Sequence, residues 1–237
     1  MPQQNPTPLA PDPLARQEGR ETCYSCFKPQ PLCLCGRVRP VANRTRVTIL
    51  QHPRERFHAI GTARIARLGL ANSEVLLPRA VAPRSLRIPV KLAPGSALLF
   101  PGTGARDLAE FEPEERLPGL VVLDGTWSQA RSLLRENPHL GALPQVRLNP
   151  TAPSRYRIRK EPRGGYVSTI EAIVQALQLI EPETLGLDGL MGVFETMIDE
   201  QIVYANRNPR RPLRKMARRI QRAEERPGGQ ASRLDGV

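Results

Sequence analysis

One stretch, LVVLDGTWSQARSLL at residues 120–134, constrains the fold of this 237-residue chain more than any other. Its apolar run at 120–123 is too short for a helix and is typical of a strand buried on both faces. Asp124 and Gly125 interrupt the run, and apolar side chains then return at helical spacing. The stretch therefore predicts a strand, a tight turn and a helix.

The predicted turn carries a carboxylate at Asp124, a hydroxyl at Thr126 and the only tryptophan of the chain at Trp127. In open α/β sheets, ligands bind at the turns that follow the carboxyl ends of strands. We therefore expect the functional site at this turn. The alternative is a structural turn, because aspartate and threonine are also ordinary helix caps.

The remaining patterns extend the same architecture and predict an α/β fold. Strands are predicted at residues 46–51, 73–77, 97–100 and 145–148, and helices at 58–70, 127–136, 168–180 and 187–204. Pro101 and Gly102 follow one of these strands, where backbone amides can approach a ligand. Ser168 and Glu171 form a capping box at a helix start, which is also a natural seat for a carboxylate or phosphate.

All four cysteines lie in one short segment, as Cys23, Cys26, Cys33 and Cys35. The spacings C-x2-C and C-x-C suit four thiolates around a tetrahedral structural zinc ion. Disulfides and idle thiols are the alternatives. A reducing compartment disfavours the first, and the close spacing disfavours the second. We predict a small zinc-binding subdomain.

The charge of the chain favours a nucleic-acid partner. Basic residues outnumber acidic ones by 35 to 23, and the formal charge of +12 comes mostly from arginine. Arginine binds phosphates through paired hydrogen bonds and stacks on bases. Residues 155–160 hold four basic side chains around Tyr156, which suits contact with RNA. The alternatives are a solvated loop and an arginine-rich composition without a binding role.

The two ends of the chain differ from its middle. Residues 1–20 are rich in proline and predict a flexible tail, whereas residues 206–237 are strongly basic and predict a tail that binds nucleic acid. No apolar run approaches the roughly 18 residues that cross a bilayer, and the first residues lack the apolar segment of a signal peptide. We therefore predict a cytoplasmic protein without a membrane partner.

Taken together, these motifs resemble the DTW-domain family. The D-x-T-W signature of that family corresponds to residues 124–127 and continues as Gln129 and Ala130. The other family-like motifs are the four cysteines and residues 50–53, 62–64, 143–144, 154–156 and 168–172. They occur in the family's order over roughly residues 20 to 205, so the resemblance is specific.

The resemblance implies a tRNA-uridine aminocarboxypropyltransferase, which moves the 3-amino-3-carboxypropyl group of S-adenosylmethionine to N3 of a uridine in tRNA. It also implies a SPOUT-like fold, in which helices flank a parallel sheet and a trefoil knot surrounds the cofactor site. Asp124 becomes the candidate that accepts or orients the N3 proton. The alternatives are an S-adenosylmethionine-dependent RNA methyltransferase and a non-catalytic RNA-binding protein that contains zinc.

The residues predicted to carry this function form four sets. The catalytic set is Asp124, Thr126 and Trp127. The predicted cofactor contacts are Pro101, Gly102, Asp124, Thr126, Trp127, Ser168, Thr169 and Glu171. The predicted tRNA contacts are Arg131, Arg155, Tyr156, Arg157, Arg159 and Lys160, and the metal ligands are Cys23, Cys26, Cys33 and Cys35. The predicted regions are a tail at 1–20, the zinc subdomain at 21–44, the DTW catalytic domain at 45–205 and the basic tail at 206–237.

Overall fold

The computed structural model describes residues 21–78, 85–112, 115–150, 152–158 and 166–207. The predicted proline-rich tail, most of the predicted basic tail, Arg159 and Lys160 lie outside these ranges. By its internal contacts the chain divides into two compact units, Met1–Asp199 and Glu200–Val237. The described part of the second unit, residues 200–207, is helical. The region boundaries drawn from the sequence stay predictions.

Within the described ranges, six strands form a single sheet, and all neighbouring strands run parallel. The strands are β1 (Arg46–Gln51), β2 (Ser73–Leu76), β3 (Ala97–Leu99), β4 (Arg106–Asp107), β5 (Gly119–Asp124) and β6 (Gln145–Arg147). Their order across the sheet is β2-β1-β5-β3-β6-β4. The predicted α/β fold with a parallel sheet is confirmed, and the trefoil knot stays a prediction.

Helices flank the sheet at both of its faces. They are α1 (Ala63–Gly69), α2 (Trp127–Glu136), α3 (Pro138–Gly141), α4 (Thr169–Ile180) and α5 (Leu187–Arg207). The helix predicted at 58–70 begins at Ala63 instead, because the amides of His58 and Gly61 bond to carbonyls three residues earlier and form tight turns. No helix in the described ranges has both the length and the hydropathy that a membrane span requires.

One face of the sheet is covered by α2 and α3. Leu50 of β1, Leu98 of β3 and Val121 of β5 pack there against Leu133 and Leu140 of the two helices. Every one of these side chains is buried. The packing on this face fixes the direction in which the chain passes from β5 into α2.

A buried asparagine holds a separate segment against the same face. Asn137 lies just after α2, where the sequence predicts the helix to stop. Its side-chain amide donates to the carbonyls of Leu133 and Leu86, and its Oδ1 accepts from the amide of Ile88. These three bonds tie the segment around residue 87 to the end of α2.

The opposite face of the sheet is covered by α4, which contacts β5 and α1. Successive side chains of a strand alternate between faces, so Leu120, Val122 and Asp124 point away from Val121 and toward α4. Ile173 of α4 is fully buried. The end of β5 therefore presents a carboxylate to the amino terminus of α4.

Candidate active site at the carboxyl edge of the sheet

Asp124 lies where three elements converge. It is paired in register with Gln51 at the end of β1, and only 5% of it is exposed. Gln51 Nε2 donates to Asp124 Oδ2 at 2.8 Å, and Thr169 Oγ1 at the start of α4 donates to Oδ1 at 2.6 Å. These two bonds hold the carboxylate in one orientation.

His52 supports this arrangement through its backbone. Its amide donates to the carbonyl of Asp124 at 2.9 Å, while its Nδ1 accepts from the amide of Arg54 at 3.3 Å. Burial lowers the pKa of His52, so its ring is neutral near pH 7. The residue joins the ends of β1 and β5.

Thr126 caps α2, as one reading of the sequence expects. Its Oγ1 accepts from the amide of Gln129 at 3.4 Å, and Gln129 Oε1 accepts from the amide of Thr126 at 2.5 Å. Gly125 leaves room for this capping box. A Cβ at Gly125 would lie 3.0 Å from Gln129 Cβ and 3.4 Å from His52 Cβ. The turn after β5 therefore requires a residue without a side chain.

An aromatic pocket opens on one side of this turn. The Trp127 ring lies 5.0 Å from the Tyr166 ring and 5.7 Å from the Phe100 ring, measured between centroids. The pocket encloses about 760 Å³ of empty space, its open mouth included. Its lining consists of Leu99, Phe100, Pro101, Leu123, Gly125, Trp127, Ala130, Ser154, Tyr156, Tyr166, Val167, Ser168 and Thr169.

A second pocket, here called the polar pocket, opens on the other side and encloses about 680 Å³. Its lining consists of Glu55, His58, Ile60, Gly61, Thr62, Asp124, Gly125, Thr126, Tyr156, Ile158 and Thr169. Gly125, Tyr156 and Thr169 line both pockets and form the wall between them. Sequence reasoning missed Glu55, His58 and Thr62 as site residues, although the family-like motif at 62–64 and the turn after β1 lie nearby.

The predicted cofactor contacts divide between these two pockets. Pro101, Trp127, Ser168 and Thr169 line the aromatic pocket, whereas Asp124 and Thr126 line the polar pocket. Gly102 and Glu171 line neither of the two. Gly102 packs against Gln145, whose Oε1 would lie 2.0 Å from an added Cβ. Their cofactor role stays a prediction.

Glu171 is buried and organises the segment beside the aromatic pocket. Its Oε2 accepts from the Ser154 hydroxyl at 2.8 Å and from the Ser168 amide at 2.7 Å. Its Oε1 accepts from the amide of Arg155 at 2.7 Å. The predicted capping box with Ser168 is present, and the same carboxylate fixes the chain at residues 154 and 155.

The predicted tRNA contacts occupy different environments. Arg131 is exposed on α2. Arg155 and Arg157 are exposed and pair with Glu195 and Asp199 of α5. The side chain of Tyr156 is buried, packs edge-on against Phe194, and donates its hydroxyl to the carbonyl of Ile60 at 2.9 Å. Tyr156 thus joins two chain segments around the pockets, and the RNA roles stay predictions.

The four cysteines form a candidate metal centre. Their Sγ atoms all lie within 4.8 Å of one another, and two pairs, Cys23 with Cys35 and Cys26 with Cys33, are 3.7 Å apart. Zn–S bonds of about 2.3 Å in a tetrahedron place the sulfur atoms roughly 3.8 Å apart. Backbone hydrogen bonding, chiefly at Cys26, lowers the pKa of Cys23 to about 6, whereas burial raises the pKa of Cys35 to about 12 in the absence of a metal. The cluster fits a metal held by four thiolates.

Aromatic and cationic contacts attach this cluster to the polar pocket. The Phe27 ring meets the Phe57 ring edge-on at 5.2 Å. The Arg64 guanidinium lies 5.3 Å from the Phe27 centroid, and its Nη2 donates to the carbonyls of Arg56 and His58 at 3.1 and 3.4 Å. The turn that carries His58 is therefore braced against the cysteine-rich segment.

Fold and site together define a class of protein: an α/β protein with a buried carboxylate at the carboxyl edge of a parallel sheet. The carboxylate ends β5, which lies between β1 and β3, and ligands of such sheets bind at this edge. The sequence profile of the DTW domain matches residues 20–202. The chain belongs to the DTW domain family, and its Asp124–Trp127 turn carries the motif for which that family is named.

Three relatives of this chain are named as tRNA-uridine aminocarboxypropyltransferases. The chain is 31% identical over 169 residues to tRNA-uridine aminocarboxypropyltransferase 2 of Drosophila melanogaster, covering 68% of this chain and 67% of the relative. It is 30% identical over 203 residues to the Mus musculus protein of that name, covering 81% and 67%. For tRNA-uridine aminocarboxypropyltransferase A of Arabidopsis thaliana the identity is 28% over 237 residues, covering 84% and 87%. No solved structure gives a significant match.

Proposed function

We propose that this protein transfers the 3-amino-3-carboxypropyl group of S-adenosylmethionine to N3 of a uridine in tRNA. The observation that carries the proposal is the position of Asp124. It is a buried carboxylate at the DTW turn, with the aromatic pocket on one side and the polar pocket on the other. The names of the relatives support the same reaction.

The aromatic pocket suits the donor. Its lining combines aromatic side chains with a few polar groups, as is usual for small-molecule sites. Trp127, Tyr166 and Phe100 offer apolar faces to an adenine, and an aromatic face attracts a sulfonium cation by about 0.5–2 kcal/mol. Ser168 and Thr169 bring the amino terminus of α4 to the pocket, where its amides favour a carboxylate. These residues would hold S-adenosylmethionine.

The proposed reaction is a single displacement. When bound, S-adenosylmethionine supplies the carbon that uridine N3 attacks; the C–S bond breaks, its electron pair stays on sulfur, and 5′-methylthioadenosine leaves. The N3 proton passes to Asp124, directly or through water. A hydrogen bond from N3–H to Asp124 aligns N3 with the carbon that it attacks before the proton moves.

The tRNA partner is supported by charge. The chain carries a formal charge of +12, and arginines 131, 155 and 157 are exposed. Backbone phosphates dominate the affinity of such surfaces for nucleic acid. A cytoplasmic location, where tRNA is modified, is part of this proposal. So is a zinc ion at the four cysteines, with a structural role because four thiolates leave no open coordination position.

Nucleoside mass spectrometry tests the proposal directly. Purified protein is incubated with unmodified tRNA and S-adenosylmethionine, and both the tRNA nucleosides and the released donor product are analysed. We expect a uridine heavier by one aminocarboxypropyl group, together with 5′-methylthioadenosine. A methylated uridine with S-adenosylhomocysteine would instead establish methyl transfer. Unchanged tRNA, with no binding of S-adenosylmethionine, would make the proposal wrong.

A further inference from the structure

Thr62 lies in the polar pocket in a way that capping does not explain. It precedes α1 at the N-cap position, yet its hydroxyl makes no capping bond. Within the described residues that hydroxyl has no hydrogen-bond partner, although only 5% of the residue is exposed. The side chain instead lines the polar pocket together with Asp124. The Thr62 oxygen is not one of the fully buried side-chain atoms that lack a partner among the described residues, so it stays accessible from the pocket to a ligand or water.

The edge of uracil that carries N3 has a fixed pattern. The N3–H group is a donor, and carbonyl oxygens O2 and O4 flank it as acceptors. A site complementary to this edge therefore needs a hydrogen-bond acceptor for N3–H beside a hydrogen-bond donor for one of the carbonyl oxygens. In the polar pocket, the Asp124 carboxylate is the acceptor and the Thr62 hydroxyl is a donor.

We propose that the polar pocket binds the uracil ring of the acceptor nucleotide, with N3–H on Asp124 and one flanking carbonyl oxygen on the Thr62 hydroxyl. The assignment rests on the proposed function and adds to it the binding site of the uridine that receives the transferred group. Ile60 and Ile158, which also line the pocket, supply apolar surface for the faces of the ring. Enzymes that act on a base bind the extruded base in this way, between apolar side chains and with its pairing edge read by hydrogen bonds.

The division of the two pockets follows from what each reactant needs. The lining of the aromatic pocket includes four aromatic side chains but not Asp124, whereas the lining of the polar pocket includes Asp124 and Thr62. The wall between them consists of Gly125, Tyr156 and Thr169. Because Gly125 has no side chain, a donor carbon and an acceptor nitrogen can approach each other across it.

The same pattern excludes cytosine. Cytosine N3 carries a lone pair in place of the proton. Cytosine N3 and the Asp124 carboxylate would then both be hydrogen-bond acceptors, and no hydrogen bond could form between them. A site whose buried polar groups are left unpaired by the wrong ligand discriminates strongly against it. N3 also lies on the pairing edge, so the acceptor uridine must be unpaired when it reacts. The polar pocket thus selects an unpaired uridine.

Thr62→Val is the main variant, because valine matches threonine in shape and lacks the hydroxyl. We expect a roughly 3- to 10-fold rise in KM for tRNA, as one lost hydrogen bond predicts, with unchanged affinity for S-adenosylmethionine. Thr62→Ser restores a hydroxyl and should return KM to within about twofold of the natural enzyme. Thr48→Val is the matched control, since Thr48 is a buried threonine that lines neither pocket. A Thr62→Val enzyme with unchanged KM, or a Thr62→Ser enzyme as impaired as it, would overturn the assignment.

Photocrosslinking tests the pocket independently of activity. A tRNA transcript with 5-iodouridine in place of uridine keeps O2, N3 and O4 unchanged, and trypsin releases residues 57–64 of the protein as one peptide. We expect that peptide to carry the crosslinked nucleotide, and the yield to fall for Thr62→Val. Its absence among crosslinked peptides makes the acceptor assignment wrong even in an active enzyme. Its presence in a protein that transfers nothing would defeat the proposed reaction and leave the uracil site standing.

Discussion

The carboxyl edge of the sheet and the cysteine-rich segment at 21–44 are held in place by different means. Asp124 rests on strands that are buried on both faces, and Leu50, Leu120 and Leu133 around it are fully buried. The cysteine-rich segment buries few apolar side chains, and its four thiols stand where a metal would bind. A short segment with so little core depends on ligand bonds for its structure. Each region can therefore be disabled without the other.

The largest expected effect is on the sheet edge. Asp124→Asn keeps the shape of the side chain. The Gln51 amide can rotate so that its oxygen accepts a hydrogen bond from the new amide, so the fold should be retained. The acceptor for the N3 proton is weakened, and we expect the transfer rate to fall by about 10²- to 10⁴-fold. Single-turnover measurements of modified uridine would record this. Metal content and melting temperature should match the natural protein, and a rate within tenfold of it would remove Asp124 from the chemistry.

The reciprocal change acts on the cysteine-rich segment. Cys26→Ser removes one of four thiolates, so we expect the bound metal to fall from about one equivalent to well below it. Limited proteolysis should then cut within residues 21–44 while the sheet resists. Tyr24→Ala, in the same segment and 91% exposed, is the control and should keep its metal. Full metal content in Cys26→Ser, or a natural protein that binds none, would contradict the predicted site.

A third change tests whether the sheet relies on buried polar bonds rather than on metal. Asn137→Ala leaves the buried amide of Ile88 without its acceptor, and we expect unfolding to become easier by about 2–3 kcal/mol. His139→Ala, two residues on and exposed, should cost far less. In denaturant titrations, the loss of unfolding free energy caused by Asn137→Ala should add to the loss caused by a chelator. If Asn137→Ala causes no loss once the chelator is present, the two regions unfold as one.

The smallest expected effect lies where the two regions touch. Phe27→Leu removes the ring that meets Phe57 and the Arg64 guanidinium. Such a pair contributes about 0.5–1.5 kcal/mol, and Arg64 braces the turn that carries His58. We expect metal content to persist and KM for tRNA to rise roughly 2- to 5-fold. An unchanged KM would mean that the cysteine-rich segment is independent of the polar pocket.

The sequence predicts those parts of the site that depend on local patterns. The strand, turn and helix around Asp124 show an apolar run, a break and a helical repeat, and the structure has each of them. The capping box of Ser168 and Glu171 is equally local and is present. The cysteine cluster follows from spacing alone, and the four sulfur atoms do converge.

What the sequence does not reveal depends on contacts between distant segments. Strand β4 has two residues and therefore no periodic pattern. The helix predicted from 58 starts later because tight turns precede it, and one of those turns ends near Ile60, which accepts from Tyr156. Basic residues surround Tyr156 and predict a contact with RNA. In the structure its ring is buried and packs on Phe194, and no spacing rule could place it between two pockets.

The order of the strands has a consequence for how the chain assembles. Strand β5 lies between β1 and β3, yet both of them precede it in the chain. During synthesis, the first 118 residues hold two strands whose facing edges have no partner, and such edges pair readily with other chains. The strands β1 and β3 are joined only when residues 119–124 insert between them. The last residue of that strand is Asp124, so the carboxylate reaches the carboxyl edge only when the two halves of the sheet are joined.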